Sequence, residues 1–187
     1  GLSMQPNLRI LEPELIERIL SEAFALIFQR GVTVQAPAAA QLLADAGARV
    51  ENEIAYIPES LAQRAITTVP RGFCLHNRAG DPLVKYGGDH VHFDPGSSCV
   101  HILDPDTLEH RLTKSPDLVR LVQVAEMLSQ YAAQSTAVVC NEVPSEIGDL
   151  YRLFLVLWYS QKPIVTGAFS PHTAPVMIDL LAADCGG

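Results

Sequence analysis

The chain has 187 residues, 48% of them hydrophobic, which is enough apolar material for a sizeable core and too much for a disordered segment. Its 13 basic and 21 acidic side chains leave a formal net charge of −8, with no Lys/Arg cluster, so the electrostatic basis for gripping a phosphate backbone is missing and nucleic acid is not an expected partner. The most apolar run, Leu153 to Tyr159, is far short of the roughly 20 residues of a membrane span. The amino terminus also lacks the pattern of a signal peptide, and the reading is a cytoplasmic protein with no membrane partner. Cys74, Cys99, Cys140 and Cys185 are spaced without a CxxC pair, against a zinc ribbon or a secreted disulfide framework.

From Pro13 to Arg30 the apolar set Leu15, Ile16, Ile19, Leu20, Ala23 and Ile27 recurs at helical spacing, with Pro13 suited to the first turn and Gly31 to the position past the end. Further helices are expected from Pro37 to about Ala46 and from Pro58 to about Thr68, with a small hairpin turning at Asn52 between them. Residues 1–70 therefore read as a helical cap. Residues 71–114 read as a β-hairpin region: Phe73–His76, Leu83–Tyr86, His90–Phe93, Cys99–Leu103 and Leu108–Leu112 are short strand-like runs separated by Gly, Pro, Asp and Asn.

Within that region "GGDHVHFDPGSSCVHILD" admits three readings. His90 and His92 share a strand face at about 7 Å, a workable spacing for two imidazole ligands, yet no second ligand pair follows, so no metal is assigned. "FDPGSS" has one glycine, no lysine and no helix start, so it fails the phosphate-loop patterns. The stretch is best explained as the lip of a barrel, with His90–Phe93 as its first strand and Phe93, Asp94, Ser97 and Ser98 at the carboxyl end.

From residue 115 to 187 the pattern changes to helix, buried strand "TAVVC", helix from Ser145 to Gln161, buried strand "PIVTGAF", and helix from Ser170 to about Ala183. Strands apolar throughout that alternate with amphipathic helices point to a parallel sheet. Two or three such units cannot close an eightfold barrel, so the chain reads as the first part of a longer protein.

The stretches "GGDHVHFDPGSSCVHILDPDTLEHRLTKSPDLVRLVQVAEML", "VPSEIGDLYRLFLVLWYSQKPIVTGAF" and "ADAGARVENEIAYIPESLAQRAITTVPRGFCLHNR" resemble the amino-terminal half of the trimethylamine methyltransferase family, from about Pro13 onward. The resemblance implies an α/β fold, a partial TIM (β/α)8 barrel preceded by the helical cap and the hairpin region. It implies methyl transfer from a methylated amine, either trimethylamine or a quaternary amine such as glycine betaine, the latter slightly favoured. The acceptor would be the Co(I) of a corrinoid carried by a cognate corrinoid protein, with no cofactor bound directly by this segment. The chain departs from the family's form at His90 and Asp94, where Arg and Gly are usual, so that an extra carboxylate is expected at the mouth. Pyrrolysine, where the family has it, belongs to the other half.

A methylated ammonium offers little or no N–H, so recognition should rest on aromatic faces and carboxylates. The expected substrate-binding residues are Phe93, Asp94, Ser97, Asn141, Glu142 and Phe169, each with a structural alternative as a core, turn or loop residue; no catalytic residue is assigned. Trp158 and Tyr151 are expected to pack within their helix, and His172 to be exposed. A homo-oligomer is expected, because an open parallel sheet leaves an unpaired edge. The competing reading is a noncatalytic half-barrel acting as a binding or assembly module.

Overall fold

The computed structural model describes residues 9–186. They fall into two compact units that divide after Pro70.

The first unit holds α1 (Pro13–Gln29), β1 (Val32–Thr33), α2 (Pro37–Asp45), β2 (Arg49–Glu51), β3 (Ile54–Tyr56) and α3 (Glu59–Thr68). Pro13 and Pro37 open their helices, where a missing N–H costs nothing and φ is already helical. Gly31 follows the end of α1 at φ +73, and a Cβ there would lie 2.4 Å from Ile54 Cγ2, so both the backbone and the packing require glycine. The hairpin turns through Asn52 and Glu53, at φ 49 and 64, the double left-handed pair that matches strand twist. It is joined by β1, giving an antiparallel sheet in the order β1-β3-β2. The expected hairpin is thus present, and the added strand was not expected: two residues, Val32 and Thr33, are too few to show a period and pair only because Ala55 and Ile54 lie opposite.

The second unit opens with two antiparallel hairpins, β4 (Phe73–His76) with β5 (Pro82–Tyr86), and β6 (His101–Leu103) with β7 (His110–Leu112). Phe73 lies opposite Tyr86 and their rings stack at 5.1 Å. Between the hairpins the expected strand His90–Phe93 is not formed. His90 instead donates its N–H to Gly87 O (3.2 Å) in a tight turn, and Gly87, at φ +119, sits where a Cβ would be 2.3 Å from Arg71 O. His92 is drawn onto the same hairpin, its Nε2 2.8 Å from Lys85 O.

The parallel ladder begins at Phe93, where the sequence reading had the first strand ending. Phe93 bridges Tyr131 and Cys99 bridges Val138, both in parallel, through Ala132 N–H to Phe93 O (3.0 Å), Cys99 N–H to Ala137 O (2.9 Å) and Val139 N–H to Cys99 O (2.8 Å). On its other side the same strand pairs in parallel as β8 (Gln134–Ser135) with β9 (Ile164–Val165). Two helical crossovers join these three segments. The first contains α4 (Ser115–Met127), reached by way of β6 and β7; the second contains α5 (Gly148–Tyr159), and α6 (Thr173–Asp184) follows β9. This is an α/β arrangement. Among the described residues the ladder is open and no closed barrel is present.

Leu118 and Val122 of α4, Ala137, Val138 and Cys140 of the central strand, and Val156 of α5 form one buried cluster; Leu153, Leu157 and Met177 form a second between α5 and α6, and Ile164 touches both. Trp158 is not packed as expected, being 71% exposed beside Phe154. Truncating Leu118, which is fully buried against the ladder, to alanine should cost about 2–5 kcal/mol in urea denaturation of the protein; a loss below about 1 kcal/mol would contradict this assignment of the core.

Candidate functional site

In a parallel ladder the groups able to do chemistry gather just past the carboxyl ends of the strands. Here those are the residues following Cys99, Val138 and Val165. Thr113, fully buried, ties the first two ends together: its Oγ1 lies 2.6 Å from Val139 O and 3.0 Å from Val100 O. Asn141 completes the knot by donating Nδ2–H to Thr113 O (2.9 Å) and Val100 O (3.2 Å). Glu142 Oε1 accepts the Ser115 N–H (2.7 Å) and the Ser115 hydroxyl, at the first turn of α4. Burial pushes the Glu142 carboxyl up, but the two Ser115 hydrogen bonds outweigh it and the net shift is below the usual range. Both residues lie where the sequence placed them, and both side chains are engaged with neighbouring backbone.

Beside them Arg111 clamps the β6–β7 hairpin to α4. Its Nε donates to Asp104 Oδ2 (2.7 Å), and Nη1 and Nη2 donate to the two oxygens of Asp117 (2.8 and 2.9 Å). Asp117 Oδ2 also accepts the Lys114 N–H (2.9 Å), closing the amino end of α4. The Arg111 hydrogen bond holds the Asp104 carboxyl down at about 2 and lowers that of Asp117.

A second cluster joins the first and third strands. Ser97 Oγ is 3.1 Å from Ser98 Oγ, and Ser98 holds a left-handed backbone at φ 60, uncommon for a residue with a side chain. Arg152 of α5 donates Nη1–H to Ser98 Oγ (3.2 Å) and Thr136 O (3.1 Å), and its guanidinium carbon lies 4.7 Å from the centre of the Phe169 ring. One turn earlier Asp149 Oδ2 accepts the Phe169 N–H (2.7 Å) and the Thr173 hydroxyl (2.6 Å), while Oδ1 accepts the Leu150 N–H (2.8 Å). Burial raises the Asp149 carboxyl, and these three donors bring it below its ordinary value. Arg152 is 1% exposed, its Nη2 has no hydrogen-bond partner, and among the described residues it has no ion pair. Burial lowers its affinity for the proton from the ordinary arginine value. An unpaired buried charge costs several kcal/mol, more than the about 0.5–2 kcal/mol that a ring face returns.

Of the six expected binding residues, the structure links Ser97 and Phe169 through Ser98 and Arg152. Asn141 and Glu142 stand at the same end of the ladder beside Thr113 and Ser115. Phe93 and Asp94 lie at the opposite, amino end: Phe93 pairs with Tyr131, and Asp94 Oδ1 accepts the Gly96 N–H (3.0 Å) in a turn. Sequence reasoning passed over Arg152 and Asp149. Their signal was two charges three apart at the head of the otherwise apolar run "LYRLFLVLWY". Among the described residues no three His, Cys, Asp or Glu side chains come together as a metal-holding group.

The lowered carboxyls of Asp104 and Asp117 stabilise the folded state fully above their unfolded value, near 4, and that contribution is lost as pH falls below it, for Asp104 through about 2. Asp117→Asn should therefore lower the melting temperature at neutral pH and flatten the loss of stability as pH falls below about 4; an acid slope equal to that of the unchanged protein would contradict the clamp. Thr113→Val, which strands the Val139 carbonyl, should cost about 1–3 kcal/mol in denaturant unfolding.

Comparison with known proteins bears on what this end of the ladder serves. Trimethylamine methyltransferase MttB of Desulfitobacterium hafniense (strain DSM 10664 / DCB-2) is 23% identical over 159 residues, covering 84% of this chain and 32% of that protein. Glycine betaine methyltransferase of Desulfitobacterium hafniense (strain Y51) is 21% identical over 183 residues, covering 97% of this chain and 38% of that protein. The chain thus spans about a third of the length of these curated relatives. The family model described as trimethylamine methyltransferase (MTTB) matches residues 2–187, essentially end to end, and the chain belongs to that family.

Proposed function

We propose that these residues form the opening β/α units of a (β/α)8 barrel enzyme that transfers a methyl group from a methylated amine to the Co(I) of a corrinoid protein, in the cytoplasm. Residues 1–70 would act as the cap, 71–114 as the hairpin region leading into the barrel, and 115–187 as its first β/α units. The observation that carries the reading is the parallel pairing of three successive segments in chain order, joined by helices, in a chain of this family. The relatives named for trimethylamine and for glycine betaine support the amine substrate class.

In such a reaction the cobalt's electron pair forms the Co–C bond as the C–N bond breaks, the nitrogen keeps the bonding pair, and the products are methyl-Co(III) and a neutral amine. The protein's task is to hold the ammonium in line with cobalt and to exclude water. Asn141, Glu142 and Phe169, past the carboxyl ends of the strands, with Ser97 just inside the end of the first, are the part of the expected binding set that this geometry favours for the rim. Phe169, 63% exposed, offers an aromatic surface there. Glycine betaine is slightly favoured over trimethylamine.

Reduced corrinoid protein mixed with the intact protein that carries this chain and with each of a panel of methylated amines should give methyl-Co(III), followed by absorbance, from trimethylamine or glycine betaine. No product from any amine, in an assay where another family member succeeds, would favour the noncatalytic module.

A further inference from the structure

The cluster around Arg152 has one valence left open. A guanidinium keeps its proton even when burial lowers its affinity, so Arg152 carries a full positive charge at 1% exposure. Its Nη1 is engaged by Ser98 and Thr136, while Nη2 is buried without an acceptor. Asp149, one turn earlier on α5, acts on Arg152 only through space: its oxygens accept from Leu150, Phe169 and Thr173 and form no ion pair with the guanidinium, so its charge moderates that of Arg152 without filling Nη2. Phe169 lies against the guanidinium and is largely exposed, so a rotamer change of that ring would uncover the charge without disturbing the core.

We propose that Arg152 Nη2 is a carboxylate-receiving position at the carboxyl end of the ladder. The guanidinium presents parallel N–H donors that suit a carboxylate better than any neutral acceptor, and a carboxylate is also what neutralises the buried charge. Two sources have this chemistry. One is the carboxylate of a zwitterionic methyl donor, a case that rests on the methyl-transfer reading above; Arg152 then discriminates for a betaine and against a purely cationic amine, which its positive charge repels. The other is an acidic side chain from elsewhere in the intact protein, a case independent of any reaction.

The test uses the intact protein that carries this chain. Calorimetric binding of glycine betaine and of choline, which keeps the trimethylammonium and replaces the carboxylate by a hydroxyl, is compared for the unchanged protein, Arg152→Met and Arg152→Lys, with crystal structures of the unchanged protein with and without glycine betaine. A betaine preference of about tenfold or more that disappears in Arg152→Met while choline binding persists, with a betaine oxygen on Nη2, assigns the donor's carboxylate. No preference in the unchanged protein, with an Asp or Glu oxygen on Nη2 and a lower melting temperature for Arg152→Met, assigns the internal carboxylate. Nη2 facing only neutral acceptors or water overturns the proposal, as does a betaine preference that survives both substitutions. If Arg152→Met does not fold, Arg152→Lys and the structures of the unchanged protein decide. An internal carboxylate stands even if no methyl is transferred, and transfer from trimethylamine with only neutral acceptors at Nη2 retains the methyl-transfer reading while removing this one.

Discussion

The constraint on which the second unit depends is the burial of the strand through residues 131–140. Ala133 to Ala137 are almost wholly buried, so their backbone N–H and C=O groups need partners that water cannot supply. The partners are the run 93–99 on one side and Ile164–Val165 on the other, both parallel. Parallel pairing in turn demands long crossovers, and α4 and α5 fill that demand while covering the strand with Leu118, Val122 and Val156. Thr113 and Asn141 then follow as consequences, because they bond carbonyls at one end of the ladder, while Arg152 reaches back to Ser98 Oγ and to Thr136 O, which already accepts the Ser98 N–H.

The polar groups at that end divide by how completely they are satisfied. Arg111 with Asp104 and Asp117, and Glu142 with Ser115, are networks in which each charged group has a close partner, the arrangement expected of groups that hold a hairpin and a helix start in place. Arg152 is different in kind. It is more deeply buried than Arg111, whose side chain is about a third exposed, and it makes none of the ion pairs that Arg111 makes to two carboxylates. That contrast sets Arg152 apart as a group oriented toward something beyond its present neighbours, and Ser98, held at φ 60 against it, shares the tension.

Much of the architecture was legible in the sequence. The proline-opened helices, the hairpin at Asn52 and Glu53, and the alternation of strands with helices from residue 115 onward come from local rules of spacing and backbone freedom and survive in the folded chain, although the expected buried strand "PIVTGAF" is a strand only at Ile164–Val165 and is partly exposed there. The family, too, was recognisable from strings such as "GGDHVHFDPGSSCVHILD". Elements of two residues, such as Val32–Thr33 or Gln134–Ser135, carry no readable period and exist only because a partner strand lies alongside.

The direction of the first ladder segment was not legible. The alternation in "HVHF" suggests a strand on its own, but the turn at Gly87 to His90 and the pull of Lys85 on His92 fold that stretch onto the hairpin, and pairing with Tyr131 moves the strand downstream. Phe93 and Asp94 thereby pass from one end of the ladder to the other. Arg152 was hidden for a similar reason: on its helix it is one charge among apolar neighbours, and only packing against Ser98, Thr136 and Phe169, which lie 54, 16 and 17 positions away in the chain, reveals an unpaired guanidinium. Sequence by itself determined the helices and the tight turns, since those depend on neighbours a few residues apart. Which end of the ladder each side chain occupies, and which charges remain uncompensated, was decided only by the tertiary structure, because register and desolvation depend on partners distant in the chain.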